Sequence, residues 1–311
     1  MTASTPIHAV VPRKCAPTTV SRFFKNPLAR IGLTLLFLLI IVAFLAPTLG
    51  KSADPSQIYP GGTDALGVPH SPDREFRFGA DTLGRDVWTR ALFGARISLV
   101  VALCAMLTST FIGTTIGLVG GFFGGRTDRF LTRFTEIVAS LPTILLAITL
   151  AKVLPERLPD FWLFKAMNIN PDLSFGRLLL AIGLVTWTGI ARAVRGQTLA
   201  LKEREFIEAA RAMGVSGARI LTRHLLPNVL PTVIVLATLA TANNILLEAG
   251  LSYLGLTDPS QPSWGRQIAE GQEYLVAAPW IVLVPGAAIV LAVTAFNLLG
   301  NALQEALETR R

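Results

Sequence analysis

The stretch EFIEAARAMGVSGARILTRHLLPN, residues 205–228, is a polar segment that lies between two long apolar runs. Its first part predicts a helix over Leu201–Met213, because apolar residues recur at helical spacing while the charged residues fall mostly on other sides. The amphipathic pattern indicates a polar helical island between two membrane spans. The apolar side of the predicted helix contains Phe206, Ile207, Ala210 and Met213.

The same stretch carries the signals for a turn and a second helix. Gly214 can adopt the left-handed conformation that ends a helix. Ser216 can cap a second helix over Gly217–Leu226, and Pro227 is expected to end that helix where the next apolar run starts. The helix pair either docks on another protein or lies on lipid headgroups, and the spacing alone leaves both interpretations open.

The composition indicates a membrane protein. The 311 residues are 51% hydrophobic and 15% charged, with a mean hydropathy of +0.54, whereas a soluble domain of this length needs far more polar surface. The two cysteines, Cys15 and Cys104, form no disulfide framework, and no metal-ligand spacing surrounds either one. We therefore predict an integral membrane protein without a metal or another cofactor.

Six apolar segments are long enough to cross a bilayer, which takes about 20 residues. They predict an all-α, polytopic protein with six transmembrane helices. Pro142 lies inside the third segment and predicts a kink there, because proline removes one backbone donor. The segments are Ile31–Leu49, Ile97–Val119, Phe130–Val153, Leu178–Ala193, Val229–Gly250 and Trp280–Leu303.

The predicted organisation follows from these segments. A basic tail at residues 1–30 precedes a first transmembrane helix at 31–49 and a polar loop at 50–96. Residues 97–308 form a core of five transmembrane helices, which contains the polar loop 199–226. The first apolar run is longer than the hydrophobic region of a signal peptide, so we interpret it as an uncleaved anchor.

Basic residues predict which side of the membrane each loop occupies. The net charge is +8, and the first 30 residues contain five Lys or Arg and no acid. The region from Arg192 to Arg223 contains seven Lys or Arg against three Glu. The positive-inside rule places both regions, and with six spans both termini, in the cytosol. Loops 50–96, 154–177 and 251–279 then lie outside. Topology explains the charge, so no nucleic-acid partner is expected.

The sequence lacks the motifs of the enzyme classes considered. It contains no G-x-S-x-G, no H-E-x-x-H and no pair of aspartates within a predicted span. Gly120–Thr127 has the spacing of a phosphate-binding loop with Arg in place of Lys, but it ends an apolar run instead of following a buried strand. We therefore predict a non-catalytic chain.

A few polar residues fall within the predicted spans, where such groups are costly and are often functional. Two interpretations stay open, because these residues can line a transport pathway or brace the helices. The two acids lie near span ends, from which they can also reach the interface or a neighbouring helix. The residues are Glu136, Asn243, Asn244 and Glu248.

The polar island resembles the EAA loop of binding-protein-dependent ABC importer permeases. In that family the loop forms coupling helices that bind in a cleft of a cytosolic ATPase subunit. The resemblance therefore implies that the island couples this chain to an ATPase. His224 departs from the family, which often has Ile at that position. The matching residues are Glu208, Ala209, Ala210, Gly214, Leu226 and Pro227.

Other stretches are similar to the peptide/nickel-type subfamily of these permeases. FGADTLGRDVWTRALFGARISL (78–99) resembles its GTD-x-LGRD-x-x-SR-x-x-x-GAR-x-SL signature, with Ala80 and Thr89 substituted. EAGLSYLGLTDPSQPSWG (248–265) resembles one of its outer loops. NPLARIGLTLLFLLIIVAFLAP (26–47) resembles the first-span extension of its C-type subunit, the permease C of oligopeptide and dipeptide importers.

The resemblance implies the type I permease fold and a set of partners. These are a homologous second permease, two cytosolic ATPase subunits and an extracytoplasmic solute-binding protein, with the chain itself in the bacterial inner membrane. The implied function is ATP-driven import of dipeptides or oligopeptides. Import of nickel or another small solute is the alternative, and an ion-driven secondary transporter is a weaker one, since no inverted repeat is visible.

Segment 154–177 is longer than the corresponding outer loop of that family. Its aromatic residues predict either an interfacial patch or a contact with a periplasmic or extracellular partner. The interfacial patch is favoured, because aromatic side chains concentrate where membrane meets water. They are Phe161, Trp162 and Phe164.

The topology predicts opposite labelling of two serines. In a chain whose native cysteines are replaced by serine, we expect Ser56→Cys to react with an impermeant thiol reagent in intact cells, because loop 50–96 lies outside. Ser216→Cys should react only after the cells are opened. Equal labelling of both positions in intact cells would contradict the topology.

Overall fold

The computed structural model describes residues 19–154, 175–257 and 261–308, and these form an all-α bundle. Trp162 and its aromatic neighbours lie outside the described residues. The helices are α1 Thr19–Lys25, α2 Pro27–Phe44, α3 Ala46–Leu49, α4 Val87–Phe123, α5 Gly125–Ser140, α6 Thr143–Val153, α7 Phe175–Thr186, α8 Thr188–Lys202, α9 Glu205–Ala212, α10 Gly217–Ile220, α11 Leu226–Tyr253, α12 Trp264–Gly271 and α13 Trp280–Glu308. A π-helical turn, Leu221–Leu225, joins α10 to α11.

Within the described residues, five helical segments are long and apolar enough to cross a membrane, or six if the bent pair α5–α6 counts as one span. This agrees with the six predicted spans, although several boundaries differ. The first span runs over Pro27–Phe44 and not over 31–49, because Asn26 caps it and Pro27 begins it. The second span begins at Val87 and not at Ile97. The Asp86 side chain caps this helix, because it accepts a hydrogen bond from the backbone N–H of Thr89 in the first turn.

Pro142 breaks the third span completely, whereas the sequence predicted a kink. Helix α5 ends at Ser140, and α6 starts at Thr143 at an angle of 96° to it. Leu141 is extended, with φ −79° and ψ 137°, because the residue before a proline is displaced from the helical region. Pro142 has no N–H with which to continue the ladder of α5.

Close contact between α4 and α8 organises the bundle. Glycines at positions 113, 117 and 121 recur every four residues and present one small-residue face of α4 to α8. A Cβ atom on Gly117 would lie 2.6 Å from the carbonyl oxygen of Ala191. Small residues at this spacing let two membrane helices approach backbone to backbone, which increases van der Waals contact where lipid supplies no hydrophobic driving force.

Helix α4 also contributes to three separate apolar clusters. One face of its N-terminal half packs with α6, α7 and α11, around Val101 and Ile182. Another face of the same half packs with α2, α11, α12 and α13, around Trp264. At its C-terminal end, Leu118 packs with α8, the island and the start of α11. Helix α4 therefore links both ends of the bundle.

The glycine contact predicts a large effect from one added methyl group. We expect Gly117→Ala to lower the free energy of unfolding by about 1–3 kcal/mol, because the methyl group overpacks the α4–α8 contact. The midpoint of thermal unfolding in detergent measures this effect.

Gly189→Ala is the matched control. Gly189 is an exposed residue of α8 whose added Cβ would have no neighbour within 4 Å. Its replacement should leave stability unchanged or raise it by up to about 1 kcal/mol through helix propensity. Equal unfolding midpoints for the two variants would contradict a tight α4–α8 contact.

Candidate functional site

The polar island packs on one end of the bundle through a buried apolar face. Ile207 and Ala210 of α9 are 0% and 2% exposed, and Ile220 and Leu225 are buried beside them. These residues share one cluster with residues at the ends of α4, α8 and α11. The island is therefore continuous with the packing of the bundle. The bundle residues of this cluster are Leu118, Ile190, Val194, Val229 and Val233.

Gly214 has the conformation that the sequence predicted. Its φ is +77°, and it follows α9 in a Schellman turn. The N–H of Gly214 bonds the carbonyl of Arg211 at 2.9 Å, and the N–H of Val215 bonds the carbonyl of Ala210 at 3.1 Å. A side chain at this position would be strained by the backbone alone, because no atom lies within 4 Å of a Cβ built there.

The helix boundaries around this turn differ from the prediction. The first helix is Glu205–Ala212 and not 201–213, because residues up to Lys202 extend α8. Ser216 occupies the N-cap of α10, but its side chain accepts no capping hydrogen bond.

Pro227 does not end the second helix, which was predicted over Gly217–Leu226. Residues Gly217–Tyr253 form one continuous helical segment. In the π-helical turn, the N–H of Leu226 bonds the carbonyl of Leu221. Proline is tolerated in the first turn of α11, where its missing N–H and fixed φ suit a helix start. The Asn228 side chain also donates to the carbonyl of His224 at 2.6 Å.

The face of the island that points away from the bundle combines charge with apolar surface. Glu208 and Ala209 are exposed on α9. Phe206 and Met213, which the sequence placed on the apolar side, are 43% and 77% exposed. We call these four residues the island surface. No described part of the chain covers it. Pro227 is also exposed, while Leu226 is half-buried.

The polar residues within the spans lie apart from the island surface. Glu136 and Asn243 are exposed on α5 and α11, while Asn244 and Glu248 of α11 are fully buried. The Asn244 amide donates to the carbonyl of Ala102 on α4 at 3.5 Å. The buried carboxylate of Glu248 accepts a hydrogen bond from the Ser252 hydroxyl at 2.6 Å. These two residues therefore lie inside the bundle and not at the interface.

An ion cluster at the opposite end of the bundle was not predicted from the sequence. It consists of Asp81, Arg85, Arg90, Arg266 and Glu270, and it ties the start of α4 to helix α12. One guanidinium nitrogen of Arg90 donates to Asp81 at 2.5 Å and to Glu270 at 2.6 Å. Asp81 and Arg90 are 1% and 3% exposed. Charges this buried require such pairing.

The ion cluster controls the titration of its most accessible acid. Burial raises the pKa of Glu270, but hydrogen bonds from Arg90 and Arg266 and the charges of Arg90 and Arg85 outweigh burial and hold the pKa below its ordinary value. The sequence contained one signal for this cluster, namely several charges inside the otherwise apolar signature at 78–99.

Helices α5, α6 and α11 present large apolar side chains that no described part of the chain covers. Helix α6 packs on α11, and α5 packs on α4 and α8. The residues are Phe130, Phe134, Ile137, Leu141, Ile144 and Leu145 of α5–α6, and Leu230, Ile234 and Leu246 of α11.

Two family models match the chain. The model described as the binding-protein-dependent transport system inner membrane component matches residues 113–311. That range covers more than half of the chain. The chain belongs to this family of transport system inner membrane components. The model described as the N-terminal TM domain of oligopeptide transport permease C matches residues 18–67.

Characterised and putative permeases are similar over almost the whole chain. The oligopeptide transport system permease protein OppC of Escherichia coli (strain K12) is 39% identical to this chain, and the match covers 93% of this chain and 89% of OppC. The dipeptide transport system permease protein DppC of Alkalihalophilus pseudofirmus is 36% identical to this chain, and the match covers 92% of this chain and 87% of DppC. A putative peptide transport system permease protein of Brucella abortus is 37% identical to this chain, and the match covers 94% of this chain and 91% of that protein.

A solved structure of an ABC transporter shares the fold. A chain of the MetNI methionine ABC transporter, in an inward-facing conformation, superposes with a TM-score of 0.52 at 19% identity, over 68% of this chain and 94% of its own. The family and these relatives make this chain a permease component of an ABC importer, a multi-pass protein of the inner membrane.

The ion cluster predicts that this permease loses stability in acid. Because the folded pKa of Glu270 lies below the unfolded value of about 4.3, its stabilisation is complete above that pH and is lost as the pH falls through the folded pKa. Glu270→Gln should lower the free energy of unfolding at neutral pH by about 3 kcal/mol, since it leaves Asp81 as the single carboxylate for Arg85 and Arg90 and removes the carboxylate partner of Arg266. The stability of this variant should fall less steeply in acid than that of the wild type. Thermal unfolding in detergent at a series of pH values measures both effects.

Glu75→Gln is the control for that variant. Glu75 pairs with Lys51 at 2.9 Å, but its side chain is 65% exposed. Exposed pairs contribute at most about 1 kcal/mol. If the two variants lose the same stability and their unfolding shows the same dependence on pH, the ion cluster does not act as a buried unit.

Proposed function

We propose that this chain is the permease subunit of an ATP-driven importer for dipeptides or oligopeptides, and that it docks a cytosolic ATPase through loop 199–226. The observation that carries the docking proposal is the island surface. It exposes two large apolar side chains, Phe206 and Met213, beside the carboxylate of Glu208. A soluble cleft with apolar walls and a basic or N–H donor group suits this surface. ATP hydrolysis then takes place in the partner, and this chain is not catalytic.

The packing beneath the island supports a mechanical role. Ile207 and Ala210 pack in the same cluster as Val194 of α8 and Val229 of α11. A force on α9 is therefore transmitted by direct contact to two membrane helices. Because close-packed interiors have discrete arrangements, such a force can favour one arrangement of the helices over another.

The π-helical turn is the adjustable part of this connection. Its hydrogen bonds run from residue i to i−5, which is rare in helices and often marks functional sites. It joins α10 to α11 without a loop, so rotation of the island rotates α11. We propose that ATP binding in the partner moves α8 and α11 in this way, which switches the side to which the pathway opens.

The uncovered apolar face of α5, α6 and α11 supports pairing with a homologous second permease, each subunit supplying half of the pathway. Two ATPase subunits would then bind on the cytosolic side, and a solute-binding protein would deliver solute on the other side. In this arrangement both termini and the island are cytosolic. Glu136, Asn243, Asn244 and Glu248 are proposed either to line the pathway or to brace it.

The peptide substrate is proposed from the relatives, whose names specify oligopeptide and dipeptide transport. Nickel or another small solute is the alternative within the same family. Uptake of a labelled dipeptide by proteoliposomes that contain the importer and its binding protein decides between them. Unlabelled oligopeptides should compete with the dipeptide, and Ni²⁺ should not. Uptake that needs only an ion gradient would contradict the ATP-driven mechanism.

The docking proposal predicts that the island can be disabled without disrupting the bundle. We expect Gly214→Val to impose a local strain of about 1–3 kcal/mol, because valine disfavours a φ of +77°. The strain should displace α10 while the membrane helices still insert. The complex should then lose its ATPase subunit, or keep it with hydrolysis uncoupled from uptake. Glu208→Lys should have the same effect through charge reversal.

Gly67→Val is the matched control for backbone strain. Gly67 also has a φ of +77°, also lacks neighbours around a built Cβ, and lies in the loop at the opposite end of the bundle. This variant should keep its ATPase subunit and stimulated hydrolysis. Co-purification of the ATPase and hydrolysis rates are the measurements. Normal assembly, hydrolysis and uptake in both island variants would show that the island is not the coupling element.

A further inference from the structure

A long apolar groove lies between α2, α4 and α13, at the end of the bundle opposite the island. Its volume is about 550 Å³, within the range of ligand-binding sites in proteins. Every lining residue is apolar or aromatic, so the groove offers almost no polar group with which to orient a transported solute. Its walls include Leu38, Val42, Ala91, Ala95, Leu283 and Ala287.

Helix α2 is attached to the bundle near each of its two ends. The groove lies between these two points of attachment. Near its N-terminus, the Asn26 amide donates to Glu305 of α13 at 2.8 Å, and Gly32 lies against Leu299. Near its C-terminus, the Arg96 guanidinium of α4 donates to the carbonyls of Ala43 and Phe44 at 2.5 and 2.8 Å. The groove is therefore a fixed gap and not a result of a loose helix.

The length of the groove matches one leaflet of a bilayer. Its lining along α13 runs from Trp280 to Leu291, which corresponds to about 16 Å at 1.5 Å per residue. Half of a hydrocarbon core of about 30 Å is about 15 Å. The end of the groove near Trp280 also contains Trp88 and Phe78, and aromatic residues of this kind mark the membrane–water interface.

The rims of the groove face the lipid and not the proposed second permease. Leu38 on α2 and Leu283 on α13 are 54% and 64% exposed. Helix α2 packs on α4 and α13, whereas α5 and α6, which form the uncovered face together with α11, pack on α4, α7, α8 and α11. The groove thus opens on a different side of the bundle from that face.

We propose that the groove binds one acyl chain of a phospholipid from the leaflet opposite the chain termini. The chain fills the space between α2 and α13, and the headgroup lies beside Trp88 and Trp280. This lipid completes the packing of the first membrane helix on the core. The inference is independent of which solute is transported.

Native mass spectrometry of the importer, purified in mild detergent, tests the proposal. We expect one phospholipid to remain on each wild-type copy after washing. Ala287→Phe should abolish this binding, because the phenyl ring occupies the groove, and the smaller change Ala287→Leu should weaken it. Val290→Phe is the control, since Val290 is 63% exposed on the same helix but lies outside the groove lining. It should retain the lipid.

Three outcomes would overturn the proposal. The first is a wild-type complex that retains no phospholipid, and the second is equal retention in Ala287→Phe and Val290→Phe. The third is efficient cross-linking of Ala287→Cys to another subunit, which would make a protein segment the occupant. Dipeptide uptake is measured in the same preparations, so a failure of the lipid site is distinguished from a failure of the proposed transport function.

Discussion

The contact between α4 and α8 is the constraint on which the rest of the structure depends. In a membrane, apolar side chains gain little from contact with each other, because lipid is equally apolar. Three glycines on α4 remove the side chains that would separate the helices, so that Gly117 lies directly against the backbone of α8 at Ala191. Because α8 packs directly against α4, the island that follows α8 in sequence has a defined position at the end of the bundle.

The length of α4 explains how this contact reaches both ends of the molecule. Its 37 residues correspond to about 55 Å, far more than a hydrocarbon core of about 30 Å. One end of α4 therefore extends into the ion cluster, through Arg90. The other end extends beneath the island, where the Phe122 ring lies against Gly217 and 5.6 Å from the Arg211 guanidinium. In the proposed transport cycle, this helix is the fixed element against which α8 and α11 move.

Buried polar groups have different partners in the two environments of this protein. In the ion cluster, arginines and carboxylates satisfy one another, and Arg266 and Glu270 at its rim are 25% and 18% exposed, which lowers the cost of burial. Glu248 instead lies within a membrane helix and receives a hydrogen bond from Ser252, four residues further along the same helix. Such a group is expensive in a membrane unless it braces or lines a site. Glu248 lies near the C-terminal end of α11, and α11 packs on α12, the helix that carries Arg266 and Glu270.

Local properties were predictable from the sequence alone, because each depends on a short stretch of chain. Apolar run lengths gave the six spans, Gly214 gave the turn, and the motifs around Glu208 indicated the family. Contacts between distant segments were decided only by the tertiary structure. Gly117 meets Ala191, and Arg90 meets Glu270, because packing brings α4 against α8 and α12. The sequence contains Pro142 and predicted a kink there. Only the structure shows that the helix breaks at this point, with an angle of 96° between α5 and α6. Pro227 failed as a helix stop because the π-helical turn before it keeps the chain helical into α11.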